Sequence, residues 1–354
     1  MNTSELLNLR LNNHLLADHA MKEPHEIVSW SGAMQSQAFD MAKWAIGARL
    51  KGSKVSTIED ALNTGKIIRT HILRPTWHFV ASEDIHWMFE LSNPRVKPMY
   101  ISYCKMRGVD ESFIYKTIPI LEKALAGNKH LTKEEISGIF DKKNIEKDYG
   151  IINMILGRAE MEGIICNGKI INNKQTYTLL EEWVPKKNSI TKEEALERLA
   201  RKFFSSHSPA TLQDFAWWSG LTVGESKQAL EFIKNDFISE EINGRIFWIK
   251  NDFIISKDNN TSALLLPPFD EFVVSYKDRS EIIEDHHYSK VMTKNGLFSP
   301  TIMLNGKIVG SWKKIKKNNK IQIELSFFEK TSQKTKSLFK KEIKRVETFY
   351  NKEK

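Results

Sequence analysis

Apolar residues recur at three-to-four spacing over Ile151–Glu160, which predicts a helix, and the preceding Leu131–Ile136 reads as a shorter, capped one. Gly163-Ile164-Ile165 follows, then a turn expected at Asn167-Gly168 and a strand-like Gln175–Leu179. The same grammar of helix, helix, hairpin recurs from Ala210–Phe215, through a helix at Glu225–Lys234, to Phe237-Ile238, a turn at Asn243-Gly244 and Arg245–Ile249. A more diverged copy lies nearer the start. It has a helix over Phe39–Leu50, a short helix at Thr57–Leu62, and a hairpin of Ile67–Thr70 with Thr76–Val80. Two helices followed by a tight hairpin are the pattern of a winged helix, whose second helix can enter a DNA groove. A helix from about Ser82 to Tyr103, expected to break at Pro94 and Pro98, would bridge the first and second copies.

Beyond Asp252 the pattern shifts to strand-length apolar runs: Ala263–Leu266, Phe272–Tyr276, Thr301–Leu304, Ile308–Trp312 and Ile321–Phe327. Turns fall at Pro267-Pro268 and Asn305-Gly306. Phe339, Ile343, Val346 and Tyr350 then mark one face of an amphipathic terminal helix, with lysines on the other. The expected fold class is α+β: three tandem winged-helix units, then a small C-terminal β-barrel-like domain and a terminal helix. The boundaries read as 1–110 (with the bridging helix), 111–186, 187–251 and 252–354.

Charge adds a location. The net charge is +9, and the segment from Lys313 to the end carries fourteen Lys or Arg against five Glu, which leaves the first 312 residues neutral overall. A basic tail of this kind can hold phosphates without reading sequence. Cys104 and Cys166 have no Cys-x-x-Cys spacing, so neither a disulfide framework nor a zinc site is expected. With no apolar run of membrane-spanning length and no secretory leader pattern, the reading is a cytoplasmic protein without membrane contact. Nothing suggests a coiled-coil dimer, and a monomer is expected.

Few residues offer chemistry. Gln35 and Gln37 flank Ser36 just after Gly32; they share a side only if the stretch is extended, so Gly32 should end the preceding helix there. Ser36 would then point toward whatever packs beneath. Trp217 and Trp218, beside Phe215, read as core. Asp270 and Glu271 form a carboxylate pair after the Pro-Pro turn; with no partner in view, a turn role is assigned to Asp270. His286-His287 has no second cluster at ligand spacing, so no metal is expected.

Gly32–Gln37, Arg74-Pro75-Thr76-Trp77-His78, Trp217–Leu221, Leu266–Asp270, Asp278-Arg279 and Gly306–Trp312 fall in the order found in the AlkZ-like winged-helix family, which the chain resembles over nearly its whole length. The resemblance implies a tandem winged-helix fold and, as in characterised members, a cofactor-free monofunctional DNA glycosylase that unhooks interstrand crosslinks and removes N7-alkylpurines. It carries the catalytic Gln-x-Gln motif onto Gln35 and Gln37. The chain departs from the pattern at Ser36, where the family has an aliphatic residue, and at Pro75, where glycine is expected. The implied partner is double-stranded DNA, alkylated or crosslinked, with His78, Arg74, Lys227, Lys313 and Lys314 as candidate contacts.

Glutamine is a neutral amide and a poor general base. Such a site suits a leaving group that is already cationic, for which amide oxygens need only orient water and stabilise positive charge on the sugar. Two alternatives remain at this point. One is a non-catalytic tandem winged-helix regulator, whose recognition helix would offer only Ser226, Lys227 and Gln228 to base edges. The other is a protein-interaction scaffold, favoured by the neutral first 312 residues.

Overall fold

A computed structural model describes residues 1–145, 148–186, 189–251, 262–318 and 320–351. The expected boundaries at 186/187 and 251/252 and the last three residues of the basic tail touch positions outside the described residues. The chain forms two compact units, one of Met1–Ile58 with Glu197–Lys354 and one of Glu59–Leu196.

In the second unit a hairpin pairs Ile67–His71 with Trp77–Ala81. The long helix that follows, Ile85–Met106, runs through Pro94 and Pro98 and does not break as expected. The two prolines are four apart and both exposed, so the carbonyls they leave unbonded, those of Glu90 and Pro94, lie on the wet face where water can satisfy them. Helices Glu111–Leu125, Lys133–Asp141 and Tyr149–Met161 then build a core of Leu121, Leu125, Ile136, Phe140, Ile152, Ile155 and Ala159. The cap at Lys133 is reciprocal: Thr132 accepts from the Glu135 N–H while the Glu135 carboxylate accepts from Thr132.

Ile165–Asn167 and Thr176–Leu179 pair as antiparallel strands, with Leu131–Thr132 on the outer side of Thr176–Leu179. Their tight turn is not at Asn167-Gly168 as expected. It lies at Asn172-Asn173, where φ is 51° and 61°, inside an Ile171–Lys174 bridge. Two consecutive left-handed residues are what a type I′ turn demands, and asparagine tolerates them.

The first unit contains Phe39–Arg49 and, further on, Leu212–Ser219 and Val223–Ile233, each of the latter two opened by a threonine capping box and separated by left-handed Gly220. Phe237–Ile242 and Arg245–Lys250 pair through Asn243-Gly244, at φ 51° and 74°, as expected. The C-terminal strands Ala263–Leu266, Thr301–Leu304, Lys307–Lys317 and Lys320–Phe327 form an open antiparallel meander, so the expected barrel is not formed. The terminal helix Lys340–Tyr350 packs on both edge strands, Ala263–Leu266 and Lys320–Phe327, and covers the sheet that closure would otherwise have buried.

Phe272–Tyr276, expected as a strand, is instead occupied by the one-turn helix Glu271–Val274, because Asp270 Oδ1 accepts from the Phe272 N–H at 2.9 Å and starts a helical turn. A short run buried on every side has no periodicity to separate the two states. Trp44 and Trp312, both buried, donate their indole N–H groups to the Leu265 and Leu266 carbonyls at 2.6 and 2.8 Å. That fixes the strand leading into residues 267–271.

Candidate functional site

Pro24–Ser31 is a helix with proline in its first turn, and Gly32 ends it at φ +76°. The positive φ favours glycine here, and a Cβ at Gly32 would lie 3.2 Å from Trp218 Cη2, a tight approach. The chain then extends through the strand Ala33–Gln35 and enters helix Phe39–Arg49. The Gln-Ser-Gln stretch is therefore non-helical, as it must be for the two glutamines to act together. Gln35 is 9 % exposed, Ser36 is fully buried and Gln37 is exposed, so Ser36 does face the packing beneath.

What lies beneath is a carboxylate. The Gln35 backbone N–H donates to Glu271 Oε1 at 2.6 Å, and Trp218 Nε1 and Ser275 Oγ donate to Oε2 at 3.0 and 2.6 Å. Glu271 is 1 % exposed, and these donors meet both of its oxygens, the acceptor-only pattern of a carboxylate. His207 Nε2 stands 3.8 Å from Oε2, and its ring stacks on Phe203 with centroids 4.7 Å apart. Burial holds His207 below the ordinary histidine range, against the pull of Glu271. His14 is pushed lower still, first by burial and then by the positive charges around it; its Nε2 donates to the Tyr276 hydroxyl at 2.8 Å, which donates onward to the His207 carbonyl at 2.8 Å.

Asp270 does have a partner. Arg49 Nη1 and Nη2 grip its two oxygens at 2.8 and 2.9 Å, both side chains being fully buried, while Arg49 Nε donates to the His14 carbonyl at 2.8 Å. Asp270 thus keeps the turn-and-cap role assigned to it and anchors that turn to helix Phe39–Arg49. Phe269, just before it, sits at φ +60°, a strained conformation for a bulky residue. Trp218 is core, but Trp217 is not; it is 45 % exposed, with Nε1 on the Val274 carbonyl at 3.0 Å and the Arg279 guanidinium over its ring.

The remaining candidates are scattered. Lys227 is exposed on helix Val223–Ile233. Lys313 is exposed on strand Lys307–Lys317, whereas its neighbour Lys314 is paired with Asp40 and lies 4.0 Å from the Tyr350 ring centroid. All three are in the first unit. In the second, His78 is buried in the hairpin strand, its Nδ1 2.9 Å from the Thr76 carbonyl, and Arg74 is half-buried in the hairpin loop.

Beside them lies a buried polar cluster that sequence reading missed. Glu160 accepts from Trp77 Nε1 and Asn167 Nδ2 at 3.0 and 2.8 Å and lies 2.5 Å from His71 Nδ1. Arg69 donates to Asn167 and Gln175, and burial lowers its pKa to about 10. The available signal was a glutamate and an arginine, Glu160 and Arg69, on apolar faces.

At His286-His287 the expectation of no ligand cluster needs correction: Glu284 joins both, with donor atoms within 4.8 Å of one another, and Glu329 Oε1 lies 3.3 Å from His287 Nε2. Glu329 follows the last strand and is remote in sequence. The Lys290 ammonium, 3.2 Å from His287 Nδ1, brings a positive charge to the same place.

Residues 28–349 match the DNA glycosylase AlkZ-like family. The chain belongs to that family. As an AlkZ-like chain it is similar to an interstrand DNA cross-link repair glycosylase of Streptomyces sahachiroi, at 20 % identity over 326 residues, covering 86 % of this chain and 85 % of that protein. The solved structure of Streptomyces sahachiroi DNA glycosylase AlkZ matches its fold with a TM-score of 0.80 at 17 % identity, over 99 % of this chain and 96 % of that one. Among the described residues of this AlkZ-like chain, no helix is long and apolar enough to cross a membrane.

Proposed function

We propose that this AlkZ-like protein is a monofunctional DNA glycosylase that hydrolyses the N-glycosidic bond of cationic N7-alkylated purines, including those joined in interstrand crosslinks. The observation that carries the reading is the non-helical Gln35-Ser36-Gln37 loop, which leaves the strand Ala33–Gln35. It exposes Gln37 and holds the Gln35 backbone on a buried carboxylate.

An N7-alkylated purine leaves without being protonated, so the site needs no general acid. Departure leaves positive charge on the sugar, and an amide oxygen near C1′ stabilises that charge while orienting the attacking water. Water supplies the hydroxyl that ends on C1′ and loses its proton to solvent; the bonding electron pair leaves with the purine and neutralises it. Gln35 and Gln37 are assigned these two tasks. Because an amide cannot drive out an uncharged base, activity is confined to weakened bonds.

We further read the three helix, helix, hairpin passages as winged-helix units that hold the duplex. A crosslinked base cannot rotate fully out of the helix, which disfavours deep base extrusion. Lys227, Lys313, Lys314 and Arg74 are the proposed DNA contacts, Lys313 and Lys227 being the most accessible; His78, expected among them, is fully buried and does not reach the surface.

The test is base release from duplexes carrying N7-methylguanine or an N7-linked interstrand crosslink, with wild type and a Gln35→Ala/Gln37→Ala double variant. Release by wild type and its loss in the folded variant support the reading. DNA binding without release from either duplex returns the protein to a non-catalytic binder, and excision of undamaged bases refutes the cationic leaving-group argument.

A further inference from the structure

We propose that Glu271 is the positioning residue of the Gln-Ser-Gln loop: a buried carboxylate that sets where Gln35 stands and thereby sets turnover, an inference that rests on the glycosylase reading above. The geometry is divided between its two oxygens. Oε1 serves the loop through the Gln35 N–H at 2.6 Å, while Oε2 serves the scaffold through Trp218 Nε1 and Ser275 Oγ. Glu271, 236 residues from Gln35 in sequence, therefore joins helix Leu212–Ser219 to the loop.

The mount is held from several sides. Residues 269–271 are held by the Arg49–Asp270 pair, by the capped turn at Phe272 and by a backbone strained at Phe269, an arrangement that persists only where surroundings enforce it. Gly32, with a Trp218 ring edge where a Cβ would be, brings the other end of the loop against the same tryptophan. The loop is thus held at Gln35 by Glu271 and approached at Gly32 by Trp218, whose indole Glu271 also binds. Misplacement of a reacting group by about 1 Å can lower a rate by about 100-fold.

Glu271→Gln keeps the shape but turns one acceptor into a donor. Either Gln35 N–H or Trp218 Nε1 then meets an amide NH2. Glu271→Asp keeps the charge and withdraws it by one methylene. Three readouts separate positioning from mere support: hydrogen exchange of the Gln35 amide measured against that of the buried Ile27 amide, kcat and KM for N7-methylguanine release, and a double-mutant cycle with Gln35→Ala.

The expected result is Gln35 amide exchange faster by about 10-fold or more in either folded variant. In addition, kcat falls about 10- to 100-fold with KM within about 3-fold, and the Glu271 substitution adds no further loss in the Gln35→Ala background. Unchanged exchange, or losses that multiply in the cycle, overturn the proposal. So does normal turnover per folded molecule despite a lowered melting temperature. If Glu271→Gln does not fold, Glu271→Asp decides on the same readouts. If wild type releases no base, the glycosylase reading fails and the exchange measurement alone judges the clamp.

Discussion

Replacing Asp270 by Asn would remove the only charge that directly compensates the Arg49 guanidinium within the buried pair. Arg49 makes four hydrogen bonds there, two to Asp270 and two to the His14 and Ala45 carbonyls, with both ionic side chains at 0 % exposure. Asparagine can still cap Phe272, so the cap contributes little to the change. What is lost is one charge-assisted bond and the compensation of a buried cation, which costs about 3–5 kcal/mol when one partner of such a pair is removed. For a unit of this size that corresponds to a fall of about 6–20 °C in melting temperature.

Calorimetry is the suitable assay because two compact units can unfold in separate transitions, and only the one containing Met1–Ile58 should move. An Arg49→Met/Asp270→Leu variant should recover part of the stability, since an apolar pair of similar volume has no charge to desolvate, although leucine cannot cap Phe272 and the His14 carbonyl loses its donor. A loss under about 1 kcal/mol for Asp270→Asn would refute the reasoning, as would a double variant less stable than the single one.

Two further outcomes are expected. His14 and His207 are both held below the ordinary histidine pKa, so below about pH 6.5 the unfolded chain binds protons that the folded one refuses; stability is full above that pH and falls below it, by at most about 1.4 kcal/mol per pH unit per histidine. Urea midpoints at pH 7 and 5.5 should fall for wild type and fall less for His14→Asn, and equal wild-type midpoints would contradict the assignment of neutral buried rings. Lys313→Gln should reduce the magnitude of the slope of log K against log salt for duplex binding by about 0.9, and Lys314→Gln by less because Asp40 already engages it; slopes unchanged from wild type in both would show that this strand does not meet phosphate.

Local signals located most of the elements. Thr132 with Glu135, the Asn243-Gly244 turn and Gly32 as a helix stop each act through neighbours within a few residues, and each appears where the pattern puts it. Errors came where a residue type permits a structure without requiring it. Pro94 and Pro98 sit harmlessly on a wet helix face, Asn172-Asn173 took the turn from Asn167-Gly168, and the run after Asp270 became helical because a side-chain oxygen happened to cap it.

By itself, the sequence determined most of the helices and hairpins, the helix stop at Gly32 and the location of the basic tail, since periodicity, capping and turn chemistry are short-range. Only the tertiary structure decided that the C-terminal sheet stays open under the helix Lys340–Tyr350, that Asp270 pairs with Arg49, and that Glu271 stands behind Gln35. A carboxylate's partners are chosen by which donors share its buried site. Across more than two hundred residues of chain that is a matter of packing, on which local pattern carries no information.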